Sequence, residues 1–154
     1  MGVKILNLLP VTGDVLTPEM FKYICKYLEP DTEVQTYQIT SGPPSIECEY
    51  DEALAAADVL RLAKKGEEDG FQAIFINCFG DPAVKAAREY VNIPVFGGFE
   101  PATHFALGLA DNISIVTVMP HVVSLMEVNV SKAKLNVRIV SIRKFNIPVP
   151  EFQE

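Results

Sequence analysis

Short runs of apolar, β-forming residues alternate along this chain with stretches of helical period, and that alternation restricts the fold more than any single motif. Val3-Lys4-Ile5-Leu6-Asn7-Leu8-Leu9 reads as a first strand, and Glu33 to Ile39 alternates as a second. Ala73-Ile74-Phe75-Ile76-Asn77 is nearly all apolar, the pattern of a strand buried on both faces. Pro94-Val95-Phe96-Gly97 is a short strand; Asn112 to Val118 and Val137 to Ile142 are two more. Helical stretches separate them. Thr17-Pro18-Glu19 is a cap, a first-position proline and a first-turn acid. Met20, Phe21, Ile24, Cys25 and Leu28 then fall on one helical face, which Pro30 ends. Asp51 is the expected cap of a long helix running to about Asp69, with Gly70 at the C′ position. Asp81-Pro82, Glu100-Pro101 and Pro120 open three further helices. The order βαβαβαβαβαβ predicts an α/β fold: a mainly parallel sheet flanked by helices, with right-handed crossovers. Asn146-Ile147-Pro148-Val149-Pro150-Glu151 follows the last strand with no helix to cover it, so the expectation is a second α/β unit that stops partway.

Composition closes off several classes of function. The chain has 154 residues, enough for one domain with a real core. Its net charge of −7 repels phosphate backbones, so no nucleic acid is expected as a partner. The richest basic stretch, Lys132 to Lys144, reads as a solvated helix end and strand edge. No run of about 18 apolar residues is present, so no membrane span is expected. Met1-Gly2-Val3-Lys4-Ile5-Leu6 lacks the layout of a signal peptide, and three cysteines is an odd, low count. Together these place the chain in a reducing cytoplasm with free thiols. There is no CxxC pair, and His104 and His121 are not spaced as HExxH, so no metal is expected. Neither GxGxxG nor GxxxxGK[ST] occurs, so neither a dinucleotide nor a P-loop cofactor has support.

In open α/β sheets, ligands bind outside the carboxyl ends of the strands. That rule nominates Asn7 to Thr12, Ser41 to Ser45, Asn77 to Asp81, Gly97 to Glu100 and Thr117 to His121. The most informative segment is Ile76-Asn77-Cys78-Phe79-Gly80-Asp81-Pro82. A cysteine at a strand end, shortly before a helix N-terminus, meets a partial positive charge and free N–H groups that favour a thiolate. The same amides suit a carboxylate or a developing enolate, and Gly80 lets backbone approach a ligand. The bland alternative is that Cys78 is a small buried hydrophobe. Cys25 reads as core packing, and Cys48 as a bystander. His104 reads as a structural helix residue, and Glu100 as a first-turn acid favoured by the helix dipole. His121 sits at a strand-to-helix turn and is a site candidate. Thr117 either donates to a ligand oxygen or caps the next helix.

Taken together, these segments resemble the hydantoin racemase branch of the aspartate/glutamate racemase superfamily. The resemblance runs through Gly42-Pro43-Pro44-Ser45-Ile46-Glu47, Tyr50-Asp51-Glu52-Ala53, and Asn77-Cys78-Phe79-Gly80-Asp81-Pro82 with Ala87-Arg88-Glu89. It continues through Pro94-Val95-Phe96-Gly97, Glu100, His104, Ser114-Ile115-Val116-Thr117 and Glu127-Val128-Asn129. Asn7 resembles the asparagine of the family's first-strand motif, whose remainder departs here as Leu8-Leu9-Pro10. The resemblance implies two α/β lobes, 1–98 with Cys78 and 99–154 as the start of the second. It implies racemisation without metal or other cofactor, by two cysteines on opposite faces of the stereocentre. Cys78 matches the first; the second, in a Gly-Cys-Ala-Gly segment, has no match in this chain. Asn7, Ser45, Phe79, Gly80, Thr117 and His121 are the expected substrate contacts. The expected partner is a hydantoin or amino-acid-like small molecule, and an exposed sheet edge favours homo-oligomers. Two alternatives stand beside this reading: a single-cysteine decarboxylase or cis–trans isomerase of the same superfamily, and a fragment that binds a small acid without catalysis.

Overall fold

A computed structural model describes residues 2–13, 18–147 and 151. The elements follow one another as β1 (Lys4–Leu9), α1 (Pro18–Lys26), β2 (Glu33–Gln38), α2 (Glu49–Glu68), β3 (Ala73–Ile76) and α3 (Val84–Tyr90). They continue as β4 (Val95–Phe96), α4 (Phe99–Leu109), β5 (Ile113–Thr117), α5 (Pro120–Lys132) and β6 (Ile139–Lys144). The expected alternation is present element for element. Every described strand pairing is parallel. The strands divide into two sheets, one of order β2-β1-β3-β4 and one of β5-β6.

The last four residues of β1 are buried, so both faces of that strand are covered. It lies between β2 and β3, with Leu8 opposite both Tyr37 and Ile76. In β3, Ile74 and Ile76 are fully buried while Ala73 and Phe75 are half-buried. The strand sealed on both faces is thus β1, not the more uniformly apolar β3. Both are inner strands, but β1 lies between neighbours of six and four residues, whereas β3 is flanked on one side by a strand of only two. A single apolar cluster joins the two sheets. It runs from Leu6, Leu8, Val59 and Ile76 to Ile115, Leu125, Met126 and Ile139.

Local signals at the ends of α2 are partly as expected. The Phe71 amide donates to the Gly66 carbonyl and the Gly70 amide to that of Glu67. This is a Schellman closure, made possible by a Gly70 φ of +83°. At the other end Cys48, not Asp51, is the N-cap. Asp51 sits in the first turn, and its carboxylate accepts from the Glu47 amide at 2.9 Å and the Cys48 thiol at 3.3 Å. It therefore works backwards, as the acid of a capping box does. In α1, Phe21 and Ile24 are half-buried, as is Leu28 just beyond its end, but Cys25 is exposed. The stripe is narrower than the sequence face suggested, and Cys25 lies at its solvent side. The expected cap Thr17 lies outside the described residues.

Candidate active site

The order β2-β1-β3-β4 means that successive connections leave β1 in opposite directions. The crevice beyond the carboxyl ends of β1 and β3 is therefore the topological switch point, where such sheets bind ligands. Cys78 stands there. Just before it, the Asn77 amide donates to the Leu8 carbonyl at 2.8 Å, so the segment continues the β1–β3 pairing past Ile76. Asp81 then turns back with a φ of +56°, followed by Ala83 at +58°. Two left-handed non-glycine residues this close together mark a constrained loop.

That loop explains a correction. Asp81-Pro82 does not begin a helix, because α3 starts at Val84. The Asp81 carboxylate instead accepts the Phe99 amide at 2.8 Å and the Glu100 amide at 3.2 Å. It thus caps α4, a helix whose N-cap is Gly98 and which has no capping side chain of its own. Burial pushes the Asp81 carboxyl up, against the amides that hold it down. The sequence also placed a thiolate at Cys78, stabilised by the following helix. The structure reverses this. Helix α3 has seven residues and starts six positions downstream. Burial pushes the Cys78 thiol up to about 12, opposed by the Gly80 amide, with the charges of Glu52 and Asp81 adding to the rise. Cys78 rests as a thiol.

Around this thiol stand residues that the strand-end rule does not nominate. Glu52, in the first turn of α2, has an Oε1 that is buried and without a hydrogen-bond partner among the described residues. Asn129 of α5 is buried, and its Nδ2 donates to the Gly80 carbonyl at 2.7 Å. Both occur within motifs of the family resemblance, which was the signal available for them. Neither lies at a strand end, where open α/β sheets place their ligands. Glu52, Asp81, Lys85, Glu100, Asn129 and Lys132 surround a cavity of about 260 Å³. Among the described residues, no cluster of His, Cys, Asp and Glu suited to a metal ion is present.

A sequence profile of the Asp/Glu/hydantoin racemase family matches residues 5–154. The chain belongs to that family. It is 35% identical over 153 residues to a hydantoin racemase from Pseudomonas sp. (strain NS671), covering 99% of this chain and 61% of that protein. An allantoin racemase from Klebsiella pneumoniae has the same fold with a TM-score of 0.93 at 32% identity, over 99% of this chain and 62% of the other. An allantoin racemase from Pseudomonas fluorescens gives 0.90 at 25%, over 98% and 64%. The chain therefore spans about three-fifths of the length of these relatives. Both the resemblance and the racemase-like α/β fold read from the sequence are borne out.

The Asp/Glu/hydantoin racemase fold brings some of the expected site residues together and not others. Gly80 is buried beside Cys78, and Phe79 is 43% exposed with its ring edge-on to Phe99 at 5.6 Å. Ser45 is half-buried in the loop between β2 and α2, at the same carboxyl edge of the sheet. Thr117 ends β5 half-buried, but it does not cap α5, whose N-cap is Met119 without a side-chain bond. His121 is exposed in the first turn of α5. Asn7 is 1% exposed within β1, and its Nδ2 donates to Thr36 Oγ1 at 3.1 Å. The strand that carries it is sealed on both faces, and its Oδ1 is buried without a hydrogen-bond partner among the described residues. His104 is exposed, with Nδ1 2.7 Å from the Glu100 carbonyl one turn back, a contact within its own helix. Glu100 pairs with Arg88 at 2.8 Å.

Glu52 carries a measurable cost. Burial pushes its carboxyl from 4.5 to about 7, opposed by Lys132, while Glu49 and Asp81 add to the rise. A carboxyl raised in the folded state contributes stability that is fully present below its unfolded value and is lost as pH rises through its folded value. Glu52→Gln removes that loss. At pH 8 it is expected to stabilise the protein by about 1–2 kcal/mol relative to wild type, after allowance for solvent screening at this half-buried site. The gain shrinks towards zero as pH falls to about 4.5. Urea unfolding of both proteins at pH 5 and pH 8 measures it, and an equal difference at the two values refutes it.

Proposed function

We propose that this chain carries the Cys78 half of a cofactor-independent racemase or epimerase for a hydantoin or amino-acid-like substrate. The observation that carries the reading is the place of Cys78: one thiol at the switch point between β1 and β3, in a member of the Asp/Glu/hydantoin racemase family. The hydantoin and allantoin racemases it is similar to bear their substrate classes in their names, and both substrates are five-membered cyclic ureides. The hydrogen on the stereocentre of such a ring is acidified by the adjacent carbonyl, because the carbanion is delocalised into it. A single sulfur can then remove or return that proton without a metal or electron sink. Cys78 acts on one face: in the thiolate form reached from its resting thiol, the sulfur accepts the proton from carbon, and the resulting S–H returns one. The exposed edge of Phe79 and the backbone at Gly80 lie nearest the thiol in sequence and suit the substrate ring. Ser45, Thr117 and His121 belong to the wider rim of the same reading, with 1–98 as the first lobe and 99–154 as the start of the second.

The test uses the chain itself. Each enantiomer of 5-benzylhydantoin is incubated with it in D2O, with buffer alone as reference. NMR follows loss of the C5 proton while optical rotation is read in parallel. Exchange above the buffer rate is expected. With rotation lost in step, both faces are served; with rotation retained, Cys78 serves one. Exchange at the buffer rate for both enantiomers overturns the reading.

A further inference from the structure

The mechanism above uses Cys78 but leaves an acid beside it unexplained. Glu52 Oε1 is buried with no hydrogen-bond partner among the described residues, which is a poor resting place for a carboxylate that does nothing. Its position is set by Gly80. A Cβ built on Gly80 would stand 2.7 Å from Glu52 Oε1, 3.6 Å from Cys78 Sγ and 3.4 Å from Leu125 Cδ2. The φ of Gly80 is not positive, so glycine is needed here for space and not for backbone freedom. The space that glycine leaves free of a Cβ is bordered by both groups, so the carboxyl oxygen and the thiol sulfur lie no more than about 6.3 Å apart. Asn129, bonded to the Gly80 carbonyl, fixes the backbone that forms its wall.

We propose that Glu52 is the positioning residue that governs the protonation of Cys78, its carboxyl group opposing ionisation of the thiol across the gap at Gly80. This rests on Cys78 being the reacting group, but it concerns the thiol itself and can be read without substrate. The other charges near the pair come from every element around it: Glu49 on α2, Asp81 in the loop, and Lys132 on α5. Lys85 of α3 and Glu100 of α4 line the adjoining cavity. Of these, Glu52 and Asp81 bear directly on the sulfur, and Asp81 is committed to the amides of α4. Glu52 has no such commitment. When neutral, it lets the thiol ionise more readily; when charged, it keeps the proton on sulfur. The site thus gains a second titrating group that acts only through the first.

Alkylation by iodoacetamide, read at Cys78 by peptide mass spectrometry, tests this, with the exposed Cys25 of each sample as internal reference. In the wild type, the Cys78 rate is expected to climb less than tenfold per pH unit between about pH 6 and 8, because Glu52 charges over that range. In Glu52→Gln the climb is a full tenfold per unit with no break. One unit less in the thiol's pKa gives tenfold more thiolate, each about threefold less nucleophilic. The variant is therefore expected to react about threefold faster at pH 8.5. Glu49→Gln, which removes a neighbouring charge of the same helix, is expected to keep the wild-type break. Superposable profiles for the wild type and Glu52→Gln overturn the proposal. If the variant fails to fold, the wild type still decides: the Glu52 carboxyl carbon, followed by 13C NMR, is expected to titrate near 7, and a midpoint near 4.5 overturns it equally. A failure here leaves the exchange of the hydantoin proton untouched, and a failure of that exchange leaves the alkylation profile to be read as it stands.

Discussion

Cys78→Ala is expected to lower the protein-dependent loss of the hydantoin C5 proton in D2O by about 10²–10⁴-fold, the range that a positioned acid or base supplies. Parallel order β2-β1-β3-β4 makes one crevice at the carboxyl ends of β1 and β3, and Cys78 is two residues beyond β3 in that crevice. Alanine keeps the backbone and most of the packing but has no exchangeable proton. Cys78→Ser is expected to fail nearly as fully, because a hydroxyl is a far weaker acid than a thiol and cannot pass a proton to and from carbon near neutral pH. Both variants should retain the wild-type circular dichroism and unfold within about 1 kcal/mol of it, since a half-buried side chain loses only one heavy atom or exchanges it. NMR of the substrate in D2O gives the rate directly. Wild-type exchange by Cys78→Ala would move the proton chemistry to another group, and Glu52 would be the first to replace.

How far this site was legible beforehand depended on which physical rule each residue obeys. Strand and helix alternation is a matter of period, and every expected element is present in order, though α3 starts at Val84 and β6 runs Ile139–Lys144, each two or three residues later than the local signals placed them. Cys78 was legible because strand ends are where α/β sheets bind ligands. Its protonation state was not, because the helix that should have stabilised a thiolate starts at Val84 and the acids that oppose one arrive from elsewhere in the chain. Asp81 shows the same limit. A local rule made Asp81-Pro82 a cap for its own helix, whereas the carboxylate reaches 18 residues along to the amide of Phe99. The surroundings of Asn7 were equally hidden: its motif nominated it for the site, while its burial in an inner strand and its bond to Thr36 come from packing. Glu52 and Asn129 could be quoted from the sequence as parts of motifs, yet nothing local said that the first turn of one helix and the far part of another would meet at Gly80. Contacts of this kind belong to the packing and not to any window of the chain.

Phe99→Ala tests the packing that joins the two sheets, and it is expected to cost about 3–5 kcal/mol of folding stability. Phe99 is 1% exposed and is the first residue of α4, where its own amide is held by Asp81. Only Phe99 and Thr103 of that helix are buried, one turn apart, so the helix is anchored by its first two turns and by one large side chain. The remainder is mostly exposed, including Phe105 at 74% and Leu109 at 78%. Removing the Phe99 ring empties a space between Phe79 and the core that a helix end pinned by the Asp81 loop cannot collapse to fill. Phe99→Leu restores most of the volume and is expected to cost less than about 1.5 kcal/mol. Leu109→Ala, on the same helix but in solvent, is expected to stay within about 0.5 kcal/mol of wild type. Urea unfolding measures all three, and an unchanged m-value would show that stability alone has moved. A loss below 1 kcal/mol for Phe99→Ala would mean that α4 is held by the amides at Asp81 and not by the ring. The capping carboxylate, which also lines the cavity beside Glu52, would then be the element that ties the second sheet to the thiol.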